Sequence, residues 1–377
     1  MCHSSLKVCH MTSTHHAKDQ RIFEKECVSL AQAGFKVYLL AQGKNEKIND
    51  IFIIGTGEQN SKRFYRLLIR PWKIYKKAVE VNADIYHFHD MELLPYGLKL
   101  KAKGKKVIFD YHEDYASRFA DSDAIIAPYF IKKLFSNLYR IYEKYAIKKL
   151  DGIISVTPHI CKRLKKINKN TIMITNYPLL RKEDWAKNTS YNPQSDYICF
   201  AGQISDTYKL EYITKIIQDF SYLKFKLCGP PRKKYDIEKI KKADKNCKIE
   251  YMGNIPYNEV PEILQNALAL PIIVDYGNNI GGKTGTLGNN KLFEAMLCGI
   301  PIICTNLILW EKIINKYHCG ICVDPTSPEE LKHAIQYILD NPDQAKKMGD
   351  CGRQAVLKKF NWNIQEKFLI DMYKGLL

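Results

Sequence analysis

The chain has 377 residues, of which 46% are hydrophobic and 26% charged, so a disordered or fibrous protein is excluded and two or three compact domains are expected. The formal net charge of +18 is uneven, with +15 on residues 1–190 and +3 on residues 191–377. The basic first half predicts a negatively charged partner there: membrane phospholipid, nucleic acid or an acidic substrate.

Short apolar strands alternate with helical stretches along the first half of the chain. "LKVCHM" predicts a strand, "RIFEKECVSLAQAG" a helix that ends at Gly34, and "FKVYLLA" the next strand. The series continues with "ADIYHFHD", a helix near "GLKLKAKG", then "KKVIFD" and "DGIISVT". This alternation is typical of a parallel sheet with helices on both faces.

The pattern breaks over residues 162–196, which predicts a linker, because this stretch is polar and has no steady period. A second α/β series follows, with strands expected at "YICFAGQ", "FKLCG", "KIEYMG", "LALPIIVD", "IPIICT" and "ICVD". We therefore predict an α/β protein with two Rossmann-like, doubly wound domains facing a cleft. The predicted ranges are 1–185 and 186–360, with a C-terminal helix over 361–377 that crosses back to the first domain.

The stretch "YGNNIGGKTGT" fits the phosphate-loop pattern from Gly277 to Thr284. In an ATPase a helix begins at the Lys-Thr pair, so that backbone amides and helix start point at the phosphates together. Here Gly285 and Gly288 follow at once, and they disfavour a helix. We therefore interpret the match as accidental.

The helix predicted from "NKLFEAMLCG" offers a different phosphate site. It opens near Asn290 with an Asn pair suited to N-capping, and its first turn carries Lys291. Free amides and a lysine at a helix start suit a diphosphate, and Glu294 on the same face can accept hydrogen bonds from ribose. The alternative is that Glu294 only complements the helix dipole and Lys291 is solvated.

"NKLFEAMLCGIPIICT" resembles the signature of the retaining glycosyltransferases of family 4, which have the two-domain GT-B fold. The resemblance extends over nearly the whole chain. Five further stretches are similar to family segments: "HHAKDQRIFEKECVSLAQAGFKVYLLA", "HFHDMELLPYGLKLKAKGKKVIFDYHEDY", "FAGQISDTYKLEYI", "MGNIPYNEVPEIL" and "MGDCGRQAVLKKFNW". It implies a sugar-nucleotide donor bound by the second domain.

The resemblance implies specific roles on the donor side. Gly202 and Gln203 would form the turn under the donor phosphates, Lys209 and Lys291 would neutralise them, and Glu294 would hold the ribose. His112 would lie at the donor sugar. Further donor contacts are placed at Ile255, Thr286 and Asn290. At position 286 many family members carry a sugar-binding Glu, so the Thr leaves the identity of the sugar open.

The resemblance places the acceptor side in the first domain, at the loop after the first strand. The residues assigned to it are His15, His16, Asp19, Arg21, Asp90, Glu92 and Glu113. His87 and His89 share one face of a strand, which could suit a metal, but no further ligand is evident in the nearby sequence, so we interpret them as packing or strand-end residues. Asp121 to Asp123 resemble a metal-binding Asp-x-Asp, and we interpret them as solvated charges in a polar loop.

Two segments combine basic and aromatic residues: "SKRFYRLLIRPWKIYKK" and "PYFIKKLFSNLYRIYEKYAIKKL". The second places Phe130, Leu134, Leu138, Ile141 and Tyr145 at helical spacing among lysines. Such a helix can lie on an anionic membrane surface. The alternative is a surface helix with its apolar stripe in the core.

The sequence thus predicts a retaining glycosyltransferase that needs no metal and no cofactor besides its nucleotide-sugar substrate. The expected acceptor is a lipid-linked oligosaccharide for a bacterial surface polysaccharide. No apolar run reaches the ~18 residues of a membrane span, and the cysteines are scattered, so we expect a cytoplasmic protein at the inner membrane face. The rival hypothesis is a nucleic-acid-binding protein with a non-catalytic nucleotide fold, but no motif for it is recognised.

Overall fold

In a computed structural model of the chain, the described residues are 6–57, 65–112, 114–116, 128–180, 191–277 and 280–377, with Lys234 and Tyr235 described by their backbone only. The chain forms two compact units. The first comprises Met1–Asn176 together with Asn363–Leu377, and the second comprises Tyr177–Trp362.

The first unit is built on an eight-stranded sheet with the order β3-β4-β2-β1-β5-β6-β7-β8. All neighbours are parallel except the edge pair β3 and β4. In chain order the strands are β1 (Lys7–His16), β2 (Lys36–Gln42), β3 (Glu46–Ile48), β4 (Ile51–Gly55), β5 (Ile85–Phe88), β6 (Lys106–Tyr111), β7 (Gly152–Ser155) and β8 (Thr171–Met173). Strands β5 and β7 are buried at every position, as expected for parallel strands covered on both faces.

The helix expected after β1 is present, but its winding is unusual. It starts as a π-helix over Gln20–Cys27 and continues as the α-helix α1 (Val28–Gln32). The Asp19 side chain caps its start by accepting from the backbone amides of Arg21 and Ile22. A π-helical turn at Tyr65–Ile69 leads into the next helix, and the remaining helices of this part are α2 (Arg70–Val81), α3 (Leu94–Ala102), α4 (Tyr129–Lys149) and α5 (Pro158–Lys165).

The linker predicted from residue 162 begins too early. The residues up to Lys165 complete helix α5, and Thr171–Met173 form β8 at the edge of the first sheet. The β-branched residues of "TIMIT" favour this strand even though polar residues flank it. Both elements belong to the first unit.

The second unit contains two three-stranded parallel ladders, with the orders β11-β10-β9 and β12-β13-β14. Backbone bonds from Cys199 to Ala269 (3.1 Å) and from Leu268 to Tyr197 (2.8 Å) join the ladders at β9. The strands are β9 (Tyr197–Ala201), β10 (Lys224–Cys228), β11 (Ile249–Gly253), β12 (Leu270–Ile272), β13 (Ile302–Thr305) and β14 (Gly320–Val323). Each predicted strand of this half is therefore present.

Helices cover the strands of the second unit, and one apolar core runs through it. These helices are α6 (Leu210–Ile217), α7 (Lys234–Ala243), α8 (Val260–Gln265), α9 (Asn290–Cys298), α10 (Ile308–Tyr317), α11 (Pro328–Asp340) and α12 (Pro342–Lys358). The final helix, α13 (Trp362–Lys374), starts at the unit boundary and lies almost entirely in the first unit.

Candidate active site

Gly202 and Lys291 lie in direct contact in the second unit. Gly202 follows β9 with a φ of +140°, a conformation that L side chains rarely adopt. A Cβ at this position would lie 2.1 Å from Lys291 Cε and 2.7 Å from its Nζ. The glycine therefore makes room for the lysine, and the two residues that the sequence predicts under the donor phosphates are neighbours.

The start of helix α9 supplies polar groups beside this contact. Asn289 is the N-cap, and its side chain accepts from the Lys291 amide at 3.2 Å. The Lys291 ammonium donates to the Tyr208 hydroxyl at 3.1 Å and lies over the Tyr208 ring. Asn290 Oδ1 is buried and has no hydrogen-bond partner in the part of the chain that the structure describes. The helix start thus presents a cation and an open acceptor in one place.

Glu294 lies one turn further along α9 and is buried. Its carboxylate accepts from the Tyr257 hydroxyl at 2.7 Å. Ile255, in the same loop as Tyr257, packs against the core. Thr286 is held by its own loop, because its hydroxyl accepts from the Gly288 amide at 3.0 Å and its carbonyl accepts from the Trp310 indole at 2.7 Å. Gln203 is exposed.

Lys209 is already paired within the second unit. Its ammonium donates to Asp275 at 2.9 Å and to the Pro325 carbonyl at 2.8 Å. Its backbone is left-handed, with a φ of +45°. Lys209 and Asp275 also line a pocket of about 260 Å³, whose other lining residues include Ile204 and Ile240. Two of the three N–H groups of the Lys209 ammonium are therefore used within the second unit.

The glycine-rich stretch that resembles a phosphate loop does not lead into a long helix. Gly282–Thr284 form a single 3₁₀ turn, and Gly281, Gly282 and Gly285 all have positive φ. The helix begins only at Asn290. The geometry agrees with the prediction that this loop is not that of an ATPase, in which the helix starts at the Lys-Thr pair.

In the first unit, Asp90 accepts hydrogen bonds from the C-terminal part of β1. Asp90 Oδ2 accepts from the Thr12 hydroxyl at 2.7 Å and from the Ser13 amide at 2.6 Å, and the Thr14 hydroxyl donates to Oδ1. Burial raises the pKa of Asp90, but the nearby His15 and the hydroxyls of Thr14 and Thr12 outweigh this and lower it. Asp90 therefore stays ionised and fixes this end of the strand.

His15 and His112 lie beside this carboxylate. His15 Nδ1 contacts Asp19 at 2.9 Å, and the His15 ring meets the His112 ring edge-on at 6.0 Å. Burial lowers the pKa of His15, but Asp19 and Asp90 together raise it to about 9. The pKa of Asp19 falls to about 2, because its hydrogen bond with His15 and the charge of His15 outweigh burial. His15 is therefore cationic at neutral pH.

The other predicted acceptor-side residues are not all brought to this place. Arg21 is buried in a two-bond pair with Asp110, at 2.8 and 3.1 Å. His16 is exposed at the end of β1. Glu92 is half-buried in a 3₁₀ turn, where burial and Asp90 raise its pKa. Glu113 and Asp121 to Asp123 lie outside the described residues.

Sequence reasoning missed a buried histidine cluster in the first unit. His87 and His89 meet His10 from β1 and Glu26 from the π-helix, and all four side chains are fully buried. Burial lowers the pKa of His10 and His87 and raises that of Glu26. The further ligand candidates were not evident because β1 and the π-helix are far from His87 in the chain. The available signal was a histidine within a predicted strand, "LKVCHM".

Helix α4 leaves its apolar stripe uncovered by the first unit's core. Phe130, Leu134, Leu138, Ile141 and Tyr145 are between 53% and 70% exposed, and Tyr129 and Phe135 are similarly exposed. The buried face of the helix carries Ser136, Glu143, Ala146 and Ile147 instead. The alternative that the stripe lies in the core is therefore wrong. Among the described residues, no helix is both long enough and apolar enough to cross a membrane.

Comparison with known proteins agrees with the fold. Residues 23–176 match the family model described as Glycosyltransferase Family 4, and residues 181–355 match the model described as Glycosyl transferases group 1. An uncharacterised glycosyltransferase of Methanocaldococcus jannaschii is 25% identical over 297 residues, which are 78% of this chain and 76% of that protein.

A second relative and a solved structure extend the comparison. The GDP-mannose-dependent alpha-(1-6)-phosphatidylinositol monomannoside mannosyltransferase of Mycobacterium tuberculosis is 24% identical over 146 residues, 37% of each chain. The structure of sucrose-phosphate synthase from Thermosynechococcus elongatus superposes with a TM-score of 0.75 at 16% identity and covers 98% of this chain and 99% of that one. The architecture of two Rossmann-like units is shared with that enzyme.

Proposed function

This chain belongs to the two-domain glycosyltransferases of family 4, which have the GT-B fold and use nucleotide sugars, and we propose that it transfers a sugar to an acceptor hydroxyl with retention of the anomeric configuration. The observation that carries the assignment of the donor site is the contact between Gly202 and Lys291 at the start of α9. The same place holds Asn290 with its open acceptor, and Glu294 follows one turn later.

The chemistry of this site follows from charge. As the sugar leaves, negative charge develops on the departing diphosphate. A fixed cation and the amides at a helix start then stabilise the transition state more than they stabilise the ground state, because the charge is larger in the transition state. In this proposal Lys291 and the amides at the start of α9 provide this stabilisation, and their position after Asn289 supports it. Lys209 adds a second cation once its bond to Asp275 is exchanged for phosphate. This set of groups neutralises the diphosphate without a metal.

The remaining roles are assigned by the family resemblance. Glu294 holds the ribose, with Tyr257 fixing its carboxylate by the 2.7 Å hydrogen bond. His112 contacts the donor sugar, and His15, Asp19 and Asp90 form the acceptor side beside it. Retention is assigned to a front-face reaction in which the leaving phosphate takes the proton of the acceptor hydroxyl.

A thermal-shift screen of UDP-, GDP- and ADP-linked sugars tests the donor site. A ligand present at 100 times its dissociation constant stabilises the folded protein by ~2.7 kcal/mol. We expect one nucleotide class to raise the melting temperature, and Lys291→Ala to reduce this response. Lys283→Ala is the matched control, because Lys283 is exposed in the neighbouring glycine-rich loop. No response to any of these sugars, or an equal loss in both variants, would contradict the assignment.

We further propose that the acceptor is a lipid-linked saccharide at an anionic membrane, of the kind used for a bacterial surface polysaccharide. The support is the exposed row Phe130, Leu134, Leu138, Ile141 and Tyr145 on α4, with Lys133, Lys144, Lys148 and Lys149 exposed around it. Apolar side chains enter the headgroup layer, while each nearby Lys adds ~1 kcal/mol. The mycobacterial relative acts on a phosphatidylinositol mannoside by its name, which is consistent with a lipid acceptor.

Flotation with vesicles tests the surface on α4. We expect binding to vesicles that contain phosphatidylglycerol, and its loss at high salt or when Lys132, Lys133, Lys148 and Lys149 are changed to Gln. The matched control changes Lys241, Lys242, Lys346 and Lys347, which are exposed in the second unit and carry the same total charge. Binding to duplex DNA without binding to vesicles would contradict the proposal and favour a nucleic-acid partner.

A further inference from the structure

The buried cluster of His10, Glu26, His87 and His89 brings four ligand-type side chains to one point in the first unit. One ligand atom from each lies within 4.8 Å of all the others. Three different elements supply them: His10 lies on β1, Glu26 on the π-helix, and His87 with His89 on and just after β5. None of the four residues is assigned to the donor or the acceptor, although Arg21 of the acceptor side contacts Glu26.

The distances within the cluster fit a bound ion. Three histidine nitrogens, His10 Nδ1, His87 Nδ1 and His89 Nε2, each lie 3.7 Å from Glu26 Oε2. His10 Nδ1 and His89 Nε2 are 3.1 Å apart. Four ligands at the usual 2.0–2.1 Å from a tetrahedral zinc ion are separated from one another by roughly 3.3 Å. The observed separations bracket this value.

The surroundings also fit. His89 Nδ1 lies 3.2 Å from Asp110, so that carboxylate can accept the ring proton and leave Nε2 free for an ion. His10 Nε2 lies 3.1 Å from the Tyr373 hydroxyl, which orients that ring in the same way. The Tyr373 hydroxyl also lies 2.8 Å from His87 Nδ1, so an ion at that nitrogen takes the place of this hydrogen bond. Hydrogen bonds from a metal-bound histidine to a carboxylate or hydroxyl fix the ring and strengthen the ligand.

Polar atoms in the cluster remain open. Both Glu26 oxygens and His87 Nε2 are buried and have no hydrogen bond within the described residues, although Arg21 Nε approaches Glu26 Oε1 to 3.2 Å. Two buried carboxylates, Glu26 and Asp110, face the single guanidinium of Arg21. A buried carboxylate oxygen without a partner is costly unless a cation or a proton satisfies it.

We propose that His10, Glu26, His87 and His89 form a binding site for one divalent transition-metal ion, and that Zn²⁺ fits it best. Three imidazoles and one carboxylate are nitrogen and oxygen ligands of the kind that tetrahedral zinc takes. Protein side chains fill all four coordination positions of the ion. It therefore has no open position for a substrate, and its role is structural. It ties β1, the π-helix and β5 together, and the sugar transfer itself stays independent of it.

Metal analysis of the full chain, purified without a histidine tag, tests this site. After dialysis against metal-free buffer, we expect about one zinc per chain by mass spectrometry of the elements. A strong chelator should then lower the melting temperature, and added Zn²⁺ should restore it. A protein that holds no stoichiometric metal, and whose melting temperature changes with neither chelator nor Zn²⁺, would overturn the proposal.

Variants show whether the ion is bound at this cluster. His87→Ala should abolish the stoichiometric zinc, whereas His333→Ala, which removes an exposed histidine of the second unit, should not. Since His87→Ala can also unfold the unit, Tyr373→Phe is the second variant, because it removes only the hydroxyl near His10 and His87. We expect it to weaken zinc affinity 10–100-fold with the fold intact. Unchanged zinc affinity in both His87→Ala and Tyr373→Phe would place the metal elsewhere.

Discussion

Gly202 shows how one residue without a side chain governs a charged neighbour. The space that a Cβ would need is taken by the Lys291 side chain, 2.1 Å away at Cε. The lysine is therefore held where the chain leaves β9, and its ammonium lies near the Tyr208 ring. The glycine is required by both the backbone conformation and the close approach.

We predict that Gly202→Ala abolishes the thermal response to nucleotide sugars, because the new methyl group displaces Lys291. The positive φ adds a strain of ~1–3 kcal/mol. Gly104→Ala is the control, because Gly104 also has a positive φ but its Cβ would meet nothing within 4 Å. Both variants should lose some stability in a denaturant titration, but only Gly202→Ala should lose the ligand response. Retention of that response in Gly202→Ala would contradict the contact.

His15 should make stability depend on pH. Its pKa is raised to about 9 in the folded state by Asp19 and Asp90, against roughly 6.5 in the unfolded chain. The folded state thus holds the proton more tightly, so the stabilisation is complete below pH ~6.5 and is lost as the pH rises through about 9. The slope is at most ~1.4 kcal/mol per pH unit, and solvent screening of this partly exposed ring reduces it.

Urea titrations between pH 6 and 9.5 measure this effect. We expect the free energy of unfolding to fall over that range and to fall less steeply in His15→Gln. The control is His318→Gln, an exposed histidine of the second unit. The same slope in His15→Gln and in the wild type would show that His15 is not the group responsible.

The sequence predicted candidate site residues but not the side chains that contact them. Lys291, Glu294, His15 and Asp90 were predicted, and the structure shows a polar contact for each. Their partners Tyr208 and Tyr257 were not, because the partner of a polar side chain is decided by packing of segments distant in the chain. Arg21 is a further case, since its buried pair with Asp110, 89 residues away, depends on the sheet order, which places β6 two strands from β1 with β5 between them.

At the scale of elements, helix α12 holds α9 in place. A Cβ on Gly349 of α12 would lie 1.9 Å from the Gly299 carbonyl oxygen, where α9 ends with a φ of +75°. The helix therefore packs directly on the backbone at the end of α9. The position of Lys291 and Glu294, both on α9, depends on this packing.

We predict that Gly349→Ala destabilises the second unit by ~1–3 kcal/mol, because the methyl group forces α12 away from α9. Gly352→Ala on the same helix is the matched control, since its Cβ would meet Cys319 at 3.2 Å, a contact that a small shift relieves. Both variants gain the same helix propensity of Ala over Gly, so the difference between them reports the clash. Equal unfolding free energies in urea would contradict this account.

Element types were largely predictable, and their exceptions have physical reasons. Some buried parallel strands, such as β9, are continuous apolar runs, and α9 is bounded by its Asn cap and Gly299. The π-helical winding of Gln20–Cys27 was not predictable, because it adds one residue per turn without changing which residues are apolar. Whether the apolar stripe of α4 meets the core or faces outwards also could not be predicted from spacing alone, since both cases have the same period.

At the scale of the whole molecule, the last helix belongs to the first unit. Leu369, Met372 and Tyr373 of α13 are buried there. Glu366 accepts from the Ser29 hydroxyl at 2.9 Å, and Gln365 accepts from the Thr175 amide at 2.9 Å. The predicted domain ranges, with a C-terminal helix over 361–377, stay a prediction. The second compact unit ends at Trp362, and the chain from Asn363 onwards belongs to the first unit.

We predict that deletion of Asn363–Leu377 destabilises the first unit and leaves the second folded. Hydrogen exchange should quicken in β1 and β5, because Tyr373 of α13, which contacts His10 and His87, is lost, and should stay slow in β13. Removal of Leu377 alone is the control, since this residue is 65% exposed. Protection of β1 and β5 that survives the deletion would contradict the dependence on α13.

The family fold itself was predictable, since the alternating strands and helices and the segment "NKLFEAMLCGIPIICT" extend across both halves. The contact between His10 and Tyr373 was not, because it joins residues 363 positions apart. Local patterns contain no information about such pairs.

This arrangement also sets an order of assembly during translation. Residues Tyr177–Trp362 are all synthesised before the segment that contains Tyr373. Although N-terminal domains usually fold first, the first unit cannot place Tyr373 against His10 and His87 until the second unit has been made. The nascent protein therefore leaves this part of β1 and β5 uncovered for most of its synthesis, and a chaperone would meet the first unit in an incomplete state.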